Sequence, residues 1–134
     1  IVAFGNAATD WKGREGLVPA TDENKRLARS WLRARGGAGW PDFGAGLEAA
    51  FGLGLDREDR EAPLRDQGAD TVVLVSNGRP LSGELRESDL LRWLRIQNRY
   101  RSVLLHTVGV GSGEDKAFLR ALAEFGGGLF RNVD

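Results

Sequence analysis

Ala69-Asp70-Thr71-Val72-Val73-Leu74-Val75-Ser76-Asn77-Gly78-Arg79-Pro80 is the stretch whose reading decides the fold. Val72 to Val75 are apolar and mostly β-branched, and polar residues bound them on both sides. That pattern predicts a strand buried on both faces, as in the middle of a parallel sheet. The run stops at Ser76-Asn77-Gly78, with Pro80 close behind. Short oxygen-bearing side chains, a flexible glycine and a proline of fixed φ predict a turn at the carboxyl edge of the sheet, where open α/β folds bind their ligands. One wall of any site is expected here.

Downstream of this strand, Leu90, Trp93, Leu94 and Tyr100 share one side of a long helix predicted over 82–102, with Arg92, Arg95 and Arg99 opposite as a solvated stripe. Val103 to Val110 reads as the next buried strand, and Gly111-Ser112-Gly113 turns the chain. Phe118, Leu119, Leu122 and Phe125 mark a last helix, closed by Gly126-Gly127-Gly128, and Leu129 to Val133 a final strand.

Upstream, Asp42 is placed to cap a helix carrying Phe43, Leu47, Ala50 and Phe51, after a glycine-rich loop from Gly36 to Pro41. Thr21 can cap an earlier amphipathic helix whose apolar positions are Leu27, Trp31 and Ala34. Ile1 to Phe4 ends a strand, and a weaker extended segment at Leu17-Val18 is expected to return beside it through Gly13 and Gly16. The alternating charges between Gly52 and Gly68 read as a solvated connection. Strands alternating with helices over short connections predict an open, mostly parallel sheet covered by helices on both faces.

Composition narrows the function. A chain of 134 residues is one domain with a substantial core. Nineteen basic residues balance 19 acidic ones, so a domain held on nucleic acid or membrane by charge alone is not expected. No apolar run approaches the roughly 20 residues of a membrane span. Without cysteine there are no disulfides and no thiolate metal sites. The chain opens on Ile1, already inside an apolar run, as expected of a piece of a longer polypeptide.

Catalytic signatures are incomplete. Gly109-Val110-Gly111-Ser112-Gly113 sits between a strand and a helix, but Glu114 occupies the place of the third glycine of a dinucleotide fingerprint, where a carboxylate would repel a pyrophosphate. Lys116 has no phosphate-loop pattern around it. Ser76 lacks the first glycine of a nucleophile elbow, because Leu74 stands there. His106, the sole histidine, lies inside a buried strand, where it is expected as a satisfied core residue. What remains is oxygen-ligand chemistry of a hard cation such as Mg²⁺, at the loops Gly39–Asp42 and Ser76–Gly78.

The order of these pieces resembles a von Willebrand factor type A domain nearly from end to end. The matching parts are Val2-Ala3-Phe4-Gly5, the loop and helix from Gly36 to Leu47, the strand and turn from Thr71 to Pro80, His106 to Gly111, and the helix from Phe118 to Gly128. The resemblance implies a Rossmann-like, three-layer α/β/α fold and a metal-ion-dependent adhesion site, where a divalent cation completes its shell with an acidic group of a partner protein. The family builds that site from an Asp-x-Ser-x-Ser loop after its first strand, a threonine in the second loop and an aspartate in the third. Here the first strand and its loop are missing, Pro41 aligns with the threonine, and Asn77 aligns with the aspartate. Asp42 could substitute as a ligand, with helix capping as its competing role.

These departures imply a degenerate metal site with Asp42, Ser76 and Asn77 as weak candidate ligands, no resident cofactor, and Mg²⁺ only if an upstream loop completes the shell. The expected function is non-enzymatic protein–protein interaction of adhesion or scaffold type. The expected partner surface is Trp40, Pro41, Asp42, Phe43, Asn77 and Arg79, with core filling as the alternative for Trp40 and Phe43. Two rival readings are a Mg²⁺-dependent adhesion domain completed by upstream residues and an enzyme using the same sheet edge on a small phosphorylated ligand. In the family the missing strand lies mid-sheet, so its absence implies a gap of about 10 Å, twice the usual strand spacing; either the remainder of a longer polypeptide fills it, the reading that the opening at Ile1 favours, or the two flanking strands close up in a different order. Without that strand, apolar strand edges are exposed and the chain is expected to aggregate or to accept a foreign strand.

Overall fold

The computed structural model describes residues 1–12, 17–35, 41–51, 69–78, 86–99, 102–111 and 116–133. Along them run β1 (Val2–Phe4), β2 (Ala8–Asp10), α1 (Asp22–Ala34), α2 (Phe43–Ala50), β3 (Thr71–Ser76), α3 (Glu87–Asn98), β4 (Leu104–Val110), α4 (Lys116–Phe125) and β5 (Gly127–Val133). β3, β4 and β5 form a parallel sheet in that order, and β1 and β2 pair as a separate antiparallel hairpin. This is the expected α/β class. β3 and β4 stay in step from Thr71 opposite Leu104 to Ser76 opposite Gly109.

The core lies between one face of the parallel sheet and the helices. Leu74 and Leu105 meet Phe43 and Leu47 of α2, Leu90 and Leu94 of α3, and Phe118, Leu119 and Leu122 of α4 in one buried cluster. Helix α2 joins the hairpin to this core. Its Phe43 ring stands edge-on to Phe4 of β1 and to Phe118 of α4, with centroids 5.4 Å apart in both pairs. A Cβ on Gly46 would lie 2.8 Å from the Phe4 ring, so only glycine lets α2 approach β1 this closely. Thr107 is fully buried but satisfied, because its Oγ1 donates to the carbonyl of Leu119 at 2.7 Å.

Several expectations are corrected. β3 is not buried on both faces: Leu74 packs into the core, whereas Val73 and Val75 are 58% and 56% exposed. A short apolar run does not reveal whether a second layer covers it. The strand beside β1 is Ala8–Asp10, not Leu17-Val18, and the chain turns at once through Gly5–Ala7. Ala8-Thr9-Asp10 carries too little apolar character to announce a strand, and its pairing comes from proximity to β1. In α1 the buried residue is Ala28, while Leu27 is exposed. α3 spans Glu87–Asn98, shorter than expected, and Tyr100 lies outside the described residues. In α4 Phe125 is exposed and Ala123 is buried in its place. The charged stretch 52–68 also lies outside the described residues.

No strand joins β1 to β3 among the described residues. The carbonyl of Asp70 accepts the N–H of Leu104 at 2.9 Å, so alternate β3 residues from Asp70 onward aim their backbone groups at β4. Thr71, Val73 and Val75 therefore aim theirs at the opposite edge, where no backbone hydrogen bond among the described residues reaches them. The sheet is interrupted where the resemblance places a further strand.

Candidate functional site

Asp42 enters α2 with φ −87° and ψ 98°, an extended conformation that turns its side chain back over the first helical turn. Its Oδ1 accepts the N–H of Ala45 at 3.0 Å, and its own N–H donates to the carbonyl of Gly5 at 2.9 Å. One carboxylate oxygen is thus committed to capping, and the backbone ties the helix start to the end of β1. Pro41 before it is half-buried and has no side-chain oxygen. Phe43 after it is 2% exposed, held between Phe4 and Phe118. Its ring therefore takes the core alternative and is not offered to a partner. Trp40 and Arg79 lie outside the described residues.

The second wall is the turn after β3. Ser76 Oγ accepts the N–H of Gly78 at 3.2 Å, a side-chain closure that bends the chain away from the sheet. Asn77 is exposed and Gly78 buried. The turn can offer a hydroxyl and a neutral amide, but no charge. Asp42 belongs to the hairpin side of the molecule and Ser76–Gly78 to the parallel sheet. Among the described residues no three His, Asp or Glu side chains gather as a cation site. A hard divalent ion relies on carboxylate oxygens, and this donor set supplies one carboxylate, already hydrogen-bonded.

Among the described residues of these loops no nucleophile, general base and general acid come together. His106 stands within β4, half-buried, and its Nδ1 accepts the N–H of Leu129 at 3.0 Å, so that nitrogen is occupied. Sequence reasoning missed this bond and also the clasp at Asn98, whose amide donates to the carbonyl of Val103 at 2.7 Å and accepts its N–H at 2.8 Å. Neither has a sequence signal, since both depend on where a backbone group is left over.

The fold and the site define an open α/β domain whose carboxyl edge carries polar side chains. No family model matches the sequence. The chain is 30% identical over 135 residues to inter-alpha-trypsin inhibitor heavy chain H4 of Homo sapiens, a match covering 99% of this chain and 14% of that protein. It is 29% identical over 123 residues to heavy chain H1 of Mesocricetus auratus, covering 92% of this chain and 13% of that protein. The chain thus spans about one-seventh of the length of these curated relatives. Among solved structures it is similar to proximal thread matrix protein 1 from the mussel byssus, with a TM-score of 0.60 at 14% identity over 99% of this chain and 31% of that one. At that identity the likeness is one of fold. With the ordered motifs and the α/β sheet, these matches support a von Willebrand factor type A domain.

Proposed function

We propose that the chain is a non-enzymatic protein-interaction domain of adhesion or scaffold type whose metal-ion-dependent adhesion site is degenerate. The reading rests on Asp42, the one carboxylate at the two loops, whose Oδ1 caps α2 while Ser76 and Asn77 add only neutral oxygens. An ion that gives up water reluctantly gains too little from such a set. The names of the similar proteins, a heavy chain of a trypsin inhibitor and a matrix protein, favour binding to protein over catalysis. Pro41, Asp42 and Asn77, with Trp40 and Arg79 beside them in sequence, are the surface this proposal assigns to the partner. It further takes the open edge of β3 to be filled by a strand from a longer polypeptide, because Thr71, Val73 and Val75 aim backbone groups there that no backbone group among the described residues meets.

Calorimetric titration of Mg²⁺ and Mn²⁺ into the domain, produced with its natural upstream segment, tests the proposal. The expected result is no binding heat and no shift in unfolding temperature. Saturable binding at millimolar or tighter affinity would overturn the degenerate site and make metal-dependent adhesion the function.

A further inference from the structure

The seam between β4 and β5 is irregular. Leu105 stands opposite Gly127 and Thr107 opposite Phe130, so β5 advances three residues while β4 advances two, and neither Gly128 nor Leu129 has a register partner. Such a bulge is uncommon between parallel strands. It is held in place by Gly128, where a Cβ would lie 2.2 Å from the carbonyl oxygen of Leu105, a contact no other residue could make. The extra residue leaves the Leu129 N–H without a rung on β4. His106, whose own register position is skipped, takes that N–H on Nδ1 at 3.0 Å.

We infer that His106 is a proton-sensitive clasp on the β4–β5 seam. To accept the Leu129 N–H, Nδ1 carries no proton, so the ring is the neutral Nε2–H tautomer. Protonation would turn Nδ1 into a donor pointed at a donor. The surroundings add nothing that would favour a cation. On this face of the sheet His106 is flanked by Val73 of β3, its direct partner, and by Leu104 and Val108 of its own strand. On β5 the alternation that turns Phe130 toward Arg120 of α4 puts Leu129, Arg131 and Val133 on the side of His106. Arg131, opposite Val108, is the one charged group of the three strands on this face among the described residues, and it is a cation. The seam is therefore closed when the ring is neutral and loosens when Nδ1 takes a proton. The strand that loosens is β5.

The experiment is hydrogen exchange in the whole protein, read by mass spectrometry with fragmentation fine enough to isolate the Leu129 amide, at pH 7.5 and pH 5.5 after correction for intrinsic rates. In the natural sequence the protection of Leu129 is expected to fall about tenfold more than that of Leu104 or Val108, whose amides face β3 and not the seam, the size of one lost hydrogen bond. His106→Asn presents a carbonyl oxygen near the position of Nδ1 and does not titrate, so its Leu129 protection should be the same at both pH values. His106→Leu should leave Leu129 unprotected at both. An unchanged Leu129 amide in the natural sequence, a loss shared equally by Leu104 and Val108, or the same acid loss in His106→Asn would overturn the clasp.

Discussion

Asn98 does for Val103 what a neighbouring strand would do, meeting both its N–H and its carbonyl with one side chain at 2.8 and 2.7 Å. Val103 is buried just before β4, where it has no strand partner of its own, so these two bonds are what reconciles its polar backbone with its position in the core. Removing them strands two backbone groups. Asn98→Ala is expected to lower stability by about 1–3 kcal/mol, the cost of leaving buried hydrogen-bonding groups unmet, measured by urea denaturation. Asn98→Asp keeps the acceptor but loses the donor to the carbonyl, and should fall between the two. An Ala variant as stable as the natural chain would mean that water replaces the amide at no cost.

At the scale of the element, α2 is the piece on which fold and site meet. Asp42 supplies its cap, Gly46 its close approach to Phe4, and Phe43 its anchor in the core. If capping is what Asp42 does, Asp42→Ala should cost about 1 kcal/mol of stability and Asp42→Asn close to nothing, because an amide oxygen caps nearly as well. Thermal unfolding in the presence of a chelator checks this without any contribution from metal. A large loss in Asp42→Asn would instead show that the negative charge itself has work to do at the helix start.

The same element shows what a sequence can disclose. The caps at Thr21 and Asp42 are legible because a short polar side chain before a periodic apolar run has one common use, and both side chains do accept the N–H three residues on. β3, β4 and β5 are legible as strands in the sequence, and their parallel pairing from the alternation of strands with helices. Ala8–Asp10 is not, because a three-residue strand pairs by being next to another and not by its own composition. The exposure of Val73 and Val75 is hidden for a related reason: burial on the second face is a property of what packs there, and Val72 to Val75 would read alike either way. At the site, Asp42 and Ser76 are legible as oxygen donors, whereas the burial of Phe43 depends on Phe4 and Phe118, far away in sequence.

For the whole molecule the decisive feature is that β3 has one edge paired and, among the described residues, the other edge without a partner strand. Residues 72 and 74 turn their N–H groups to β4, and residues 71, 73 and 75 turn theirs to the gap. Proline distinguishes the two, since it removes a single N–H and is tolerated in a strand only where that N–H faces outward. Leu74→Pro cuts the ladder to β4 and takes a large side chain out of the core, so it should abolish cooperative unfolding. Val73→Pro removes only an outward N–H and should leave the isolated chain folded, with a modest loss in unfolding temperature. It should also suppress self-association of the chain through this edge, seen as a lower sedimenting mass at high concentration. In a longer polypeptide whose additional strand fills the gap, the same Val73→Pro would break an internal ladder, and its cost should approach that of Leu74→Pro. A small cost of Val73→Pro in both contexts would mean that nothing pairs with β3 on this side, and the two sheets would then be held together by side-chain packing, that of α2 and Phe4 included.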